Sequence, residues 1–190
     1  MNGQERYSRV AALLHWSIAA LILFNLGFGF FLEGMPRGLK SVILPLHVSS
    51  GVTVLALGVL RILWRLTHRP PALLPAARWQ HLAAHAAHAG LYGLMIVMPL
   101  TGIAILSCHP AQPPPGAPGA PKVWGLFDSP AFPPLQALAP DAQKAAHDDF
   151  VQAHSILGWI VLALLVLHVG AALKHQFIDR QPQFRRMGLF

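Results

Sequence analysis

The stretch 154-HSILGWIVLALLVLH-168 is apolar enough to cross a lipid bilayer as a helix, yet a histidine stands at each end. Fourteen residues separate the two, close to four helical turns. Both imidazoles therefore project from nearly the same face, about 21 Å apart along the axis. Ionisable side chains inside a membrane are costly and usually carry function. What needs one imidazole near each surface of the same span decides how the rest of the chain is read.

The chain has 190 residues, 54% hydrophobic and only 11% charged, against about 25% charged in ordinary soluble domains. Its charges are clustered, which leaves four uncharged runs: Val10–Leu32, Val42–Leu60, Leu82–Leu106 and Phe150–Leu173. As a helix, each run can span the roughly 30 Å of bilayer hydrocarbon. The expected fold is an all-α membrane protein, one domain over residues 1–190, with four transmembrane helices at about 10–32, 42–65, 82–106 and 150–175. The first run is longer than the apolar core of a signal peptide and no clear small-x-small site follows it, so it is expected to stay as a span.

The formal net charge is +7, but its distribution speaks against nucleic acid as the partner. Ten of the fourteen basic residues lie at the N-terminus (Arg6, Arg9), between runs two and three (Arg61, Arg65, Arg69, Arg78) or in the tail (Lys174, Arg180, Arg185, Arg186). The other two loops hold Arg37, Lys40, Lys122 and Lys144. The positive-inside rule then puts both termini in the cytoplasm, with the basic excess facing inner-leaflet lipid head groups. The single cysteine, Cys108, excludes an internal disulfide. The segment 108–149 is read as a long outer loop. Its Pro-rich start has no regular structure of its own, and Asp141–Asp149 forms a short surface helix. Trp124, Phe127, Phe132 and Leu135 could fold this loop over the outer mouth or simply lie at the interface.

Of eleven histidines, six fall inside the runs; His85 and His88 stand near the start of the third, and the other four are His15, His47, His154 and His168. His15 is six residues past Arg9 and His168 six before Lys174, so both lie roughly 9 Å in from the cytoplasmic edge. His47 is seven past Lys40 and His154 five past Asp149, at similar depth from the other side. Alternating helix direction makes two level pairs, His15 with His168 and His47 with His154. Two imidazoles at one depth on facing helices can hold a haem iron from both sides, and bundle cores host such cofactors. Two haems b, one above the other, would then use one ligand each from the last helix. A structural zinc would want four ligands in one cluster instead.

The neighbours suit that reading. Gly51 and Gly158 each follow a histidine by four residues and allow a flat macrocycle against the backbone, although glycine also serves ordinary helix packing in membranes. Arg61 and Arg65 fall on the face of His47 at the inner end, where an arginine can pair with a propionate or act as a positive-inside anchor. His81, His85 and His88 share a face of the third helix. His88 is a competing inner ligand or, ranked higher, a group at the haem edge. His175, with Lys174, stands at the cytoplasmic mouth, where it could exchange protons with a reacting molecule.

In their order, Tyr7-Ser8-Arg9, His15-Trp16, His47-Val-Ser-Ser-Gly51, Arg61-Ile-Leu-Trp-Arg65, His85-Ala-Ala-His88, Pro99-Leu-Thr-Gly102, His154 and His168 resemble the bacterial cytochrome b561 family, small di-haem membrane cytochromes. The resemblance implies a four-helix bundle with two non-covalent haems b, electron exchange with ubiquinone or another quinone and, for some members, superoxide oxidation at the outer face. The absence of a Cys-x-x-Cys-His motif agrees with non-covalent haem. The long Pro-rich loop departs from the family pattern. The expected function is an inner-membrane electron carrier between a periplasmic-side donor and membrane quinone. Alternatives are an anchor subunit wiring a dehydrogenase or hydrogenase partner to quinone, and a haem-free transporter with a histidine proton relay. A haem sensor or carrier would need an open coordination site.

Overall fold

The computed structural model describes residues 6–72, 76–109, 113–117 and 119–188. The helices are α1 (Arg9–Gly29), α2 (Arg37–Thr67), α3 (Arg78–Cys108), α4 (Pro133–Gln136), α5 (Pro140–Leu173) and α6 (Gln183–Met187). A two-stranded hairpin, β1 (Lys122–Val123) and β2 (Phe127–Asp128), lies between α3 and α4, and one π-helical turn, Lys174–Ile178, follows α5. Among the described residues, α1, α2, α3 and α5 with its π-helical extension are long and apolar enough to cross a membrane. The protein is a multi-pass helical bundle. Of the described residues, the two chain ends and the α2–α3 connection lie at its basic end, and the α1–α2 and α3–α5 connections at its far end.

Backbone packing runs α1 on α2, α2 on α3, and α3 on α5. No comparable packing joins α5 to α1 or α2. The core is small, centred on Ile18, Val54 and Met95. Most other large apolar side chains point outward, as a lipid solvent requires. Asn25, a polar group on α1, is satisfied by the Ser50 hydroxyl of α2 at 2.8 Å. Gly58 lets α2 approach α3 so closely that a Cβ there would stand 3.3 Å from the Met95 Cβ.

Three of the four spanning helices are longer than the uncharged runs, whereas α1 ends at Gly29, three residues before the first run does. The clearest case is α5, which starts at Pro140 instead of near 150. Proline at the first helical position has its φ already set for a helix, and nothing from Asp141 to Asp149 breaks the turn that follows. Lys144 and Asp148 pair at 2.8 Å across one helical turn. The expected surface helix is therefore the first part of α5, and the loop expected over 108–149 ends at Ala139. Likewise α2 starts at Arg37 and α3 at Arg78, because charged residues end a hydrophobic run without ending a helix.

The hairpin turn is Val123-Trp124-Gly125-Leu126, closed by the Leu126 N–H donating to the Val123 carbonyl at 2.9 Å. Trp124 has φ +51° and Gly125 φ +72°. Two consecutive positive φ values make the turn whose twist matches paired strands. Gly125 adopts it freely, whereas a left-handed tryptophan costs about 1–2 kcal/mol. Two hydrogen bonds hold Trp124 there: its backbone N–H donates to the Ser49 hydroxyl and its indole N–H to the Thr53 hydroxyl, each at 2.9 Å. The segment after the hairpin turns toward α3 and α5, where the Phe132 N–H donates to the Ser107 hydroxyl at 2.9 Å. Phe132 and Leu135 line an apolar cleft there with Leu100, Thr101 and Phe150. The loop aromatics thus divide. Phe132 and Leu135 cover the far end of α3 and α5, while Trp124 and Phe127 belong to a hairpin docked on α2.

Candidate functional site

The four histidines of the spans meet in two groups. His47 of α2 faces His154 of α5 with ring centroids 6.2 Å apart. His15 of α1 faces His168 of α5 at 6.3 Å. A transition metal bonds an imidazole nitrogen at about 2 Å, and each ring centre lies roughly 1 Å behind that nitrogen, so two imidazoles sharing one iron would stand roughly 6 Å apart. Both pairs have that separation, and both bridge helices that do not pack backbone to backbone. The residues present fit a planar group held between two rings. No group of three or more histidine, cysteine or acidic side chains is arranged to hold a metal ion among the described residues.

At the far end, α3 aims His154. The Thr101 hydroxyl lies 2.7 Å from the Met98 carbonyl and 2.8 Å from His154 Nδ1. A hydroxyl has one hydrogen, which Met98 takes, so Thr101 accepts from His154 Nδ1–H. That fixes the tautomer and leaves Nε2 with its lone pair free to bind. Gly102 gives the ring room, since a Cβ there would be 3.5 Å from His154 Cε1. His47 is placed differently, by close packing on α1: a Cβ on Gly29 would be 3.1 Å from its Cε1. Its buried Nδ1, on the side packed against Gly29, has no hydrogen-bond partner among the described residues. Sequence reasoning singled out neither Gly29 nor the role of Thr101, because both act through residues far away in the chain. Thr101→Val is expected to weaken the far-end site about 10- to 100-fold in cofactor affinity, with the basic-end site unchanged. Titration of haem into the apoprotein measures it.

The two flanking glycines have different surroundings. A Cβ at Gly51 would meet nothing within 4 Å, which leaves space beside His47. A Cβ at Gly158 would meet Met98 Cε at 3.6 Å and the Phe30 ring at 3.7 Å. Gly158 is thus a packing position at which Phe30 also reaches Trp159, with ring centroids 4.6 Å apart.

At the basic end a third imidazole joins the pair. His88 of α3 stands 5.5 Å from His168, centroid to centroid. Arg61 donates to the Ala11 carbonyl at 3.2 Å and lies 5.8 Å over the Tyr92 ring. It lies beside His15, His88 and His168, with Arg65 near His88. Below them, the π-helical turn sets His175 and Lys174 on one carboxylate. His175 Nδ1 is 2.6 Å from Asp179 Oδ2, and Lys174 Nζ is 2.9 and 2.7 Å from the two carboxylate oxygens. These two partners hold the Asp179 carboxyl below the usual carboxylate range. Asp179 was not legible as part of the site. An α-helix continued at 3.6 residues per turn does not show that five residues wind as a π turn.

Three of the remaining histidines make ring contacts elsewhere. His68 stacks on Trp64 at 3.6 Å, and His109 meets His147 at 5.4 Å near the far end of the bundle.

The chain is 34% identical over 190 residues to cytochrome b561 homolog 2 of Escherichia coli (strain K12), covering 98% of this chain and 93% of that protein. It is 27% identical to the probable superoxide oxidase CybB of Yersinia pestis, covering 96% of each. A shorter match, 37% identical over 68 residues, is to cytochrome b562 of Cereibacter sphaeroides, covering 33% of this chain and 43% of that one. The family described as prokaryotic cytochrome b561 matches residues 6–188. With apolar spans and level imidazole pairs already in place, this chain is a membrane cytochrome b, an electron carrier of the prokaryotic cytochrome b561 family.

Proposed function

We propose that this protein is a bacterial inner-membrane carrier that holds two haems b, each between two histidines, and moves electrons from an outer-side donor to a quinone at the cytoplasmic end. The observation that carries the reading is that α5 supplies one histidine to each pair, His154 to His47 and His168 to His15. Bound haem would supply one-electron exchange at two depths of the membrane. The chain's own work is to hold the rings, tune them by burial and hydrogen bonds, and keep water away. The basic excess at the end carrying both termini supports a cytoplasmic placement of that end.

Superoxide is the donor favoured by the relative named a probable superoxide oxidase. Two superoxide anions would lose one electron each, and one quinone would gain both with two protons. At the outer mouth Lys144 is neutralised by Asp148, which leaves Arg37 and Lys40 of α2 and Lys122 of the hairpin to attract an anion. At the cytoplasmic end, His175 Nδ1–H donates to Asp179, so its Nε2 is the atom free to take up a proton from cytoplasmic water and then pass it to reduced quinone. Lys174 and Asp179 position that ring, and Arg61 and Arg65 line the approach to His88 and His168.

His175→Ala is expected to slow quinone reduction by tenfold or more with haem content unchanged, measured by stopped-flow reoxidation of the reduced protein. Loss of haem in that variant would refute the assignment. Asp179→Asn should slow the reaction less and in the same direction. Because the Asp179 carboxyl is held low, its pairing is fully present above the ordinary range near pH 4. It is lost only as pH falls below that, through its own depressed value. The cluster should therefore stay intact across the physiological range, and a rate profile that lost this dependence on Asp179 well above pH 4 would contradict its role.

A further inference from the structure

The α3–α5 connection carries an apolar tip whose outer side is open among the described residues. Leu126 is 79% exposed, Phe127 54% and Trp124 47%. The tip is placed by its bonds to Ser49 and Thr53. These two lie two and six residues beyond His47 toward the basic end, so roughly 3 and 9 Å deeper along α2. At about 100° per residue they stand roughly 200° and 240° round α2 from His47, on the face turned away from the bundle. Ser49 is also nine residues inside Lys40, which closes the charged end of α2. The hairpin therefore hangs down the lipid-facing side of a membrane span.

We propose that this hairpin is a re-entrant element of the far-side leaflet, with Leu126 and Phe127 among lipid acyl chains. Its occupant is lipid because the anchoring hydroxyls fix its depth, and because no ionisable residue stands between Lys122 and Asp128. Irregular backbone survives at such depth only if its polar groups are paired. Here several of them are bonded within and beneath the hairpin. Val123 pairs with Phe127, Trp124 N–H uses Ser49, Leu126 N–H uses Val123, and Ser129 N–H uses the Pro121 carbonyl at 2.7 Å. The same placement explains two hydroxyls on an otherwise lipid-facing stripe of α2. They serve as the docking points of the hairpin.

The test uses the haem-loaded full chain in phosphatidylcholine liposomes, with an environment-sensitive fluorophore on Leu126→Cys. Cys108 is fully buried, so unsubstituted protein reports background labelling, and Asp141→Cys in the first turn of α5 is the water-exposed reference. Phe127→Cys is a second probe, and an unaltered haem spectrum certifies each variant. The expected result is blue-shifted emission, quenched several-fold more by lipids spin-labelled on the acyl chain than by aqueous iodide, with the reverse at position 141. Iodide quenching at 126 and 127 equal to the reference would overturn the proposal. So would protection from both quenchers, which would mean that protein, from this chain or a second copy, covers the tip.

Discussion

Replacing His154 by alanine is expected to remove one haem completely and leave the other, lowering haem per chain by half. His154 is the ring that faces His47, and among the described residues no other imidazole makes a ring contact with His47. Loss of the partner therefore leaves that site with a single ligand. The basic end should behave unequally. His168 contacts both His15 and His88, so His168→Ala should abolish the second haem, whereas His15→Ala leaves His88 within reach of His168 and should retain part of it. The measurement is the pyridine haemochrome content of each purified variant beside its reduced-minus-oxidised spectrum. Equal and complete losses in His15→Ala and His168→Ala would show that His88 cannot serve as a ligand. Unchanged haem in His154→Ala would overturn the paired-ligand reading.

The second large effect is expected from a residue with no donor atom. Gly51→Phe places a ring in the open space beside His47, where a Cβ meets nothing within 4 Å. If that space belongs to the far-side macrocycle, the substitution expels it while all four histidines remain. Overpacking costs about 1–3 kcal/mol in a filled site, which corresponds to roughly 5- to 150-fold in affinity. The apoprotein should be as stable as before, since nothing is displaced in its absence. Gly58→Phe is the contrasting variant. It strikes Met95 at the α2–α3 contact and should destabilise the chain with or without haem. Haem titration with thermal unfolding of both variants separates a cofactor cradle from a packing glycine. If Gly51→Phe bound two haems at full affinity, Gly51 would have no role at the cofactor.

The sequence by itself determined the features that are local or periodic. Uncharged runs of bilayer length mark spans, since the cost of a charge in hydrocarbon is the same wherever the helix packs. The helical period put His154 and His168 on one face, and counting from the flanking charges put His15 and His47 at the matching depths. The ordered motifs carried the family. Only the tertiary structure decided what depends on residues distant in the chain. Thr101 orients His154 from another helix, Gly29 makes room for His47 from α1, and His88 joins His168. His88 was visible as a candidate at the inner site, but its contact with His168, like the roles of Thr101 and Gly29, is a distance between surfaces set by how helices cross. Helix ends also escaped, as at Pro140, since hydrophobicity stops where charge begins while hydrogen bonding along the helix continues. The same holds for the loop. Its aromatics were visible, but a left-handed Trp124 bonded to Ser49 and Thr53 exists only because α2 presents two hydroxyls one turn apart on its outer face.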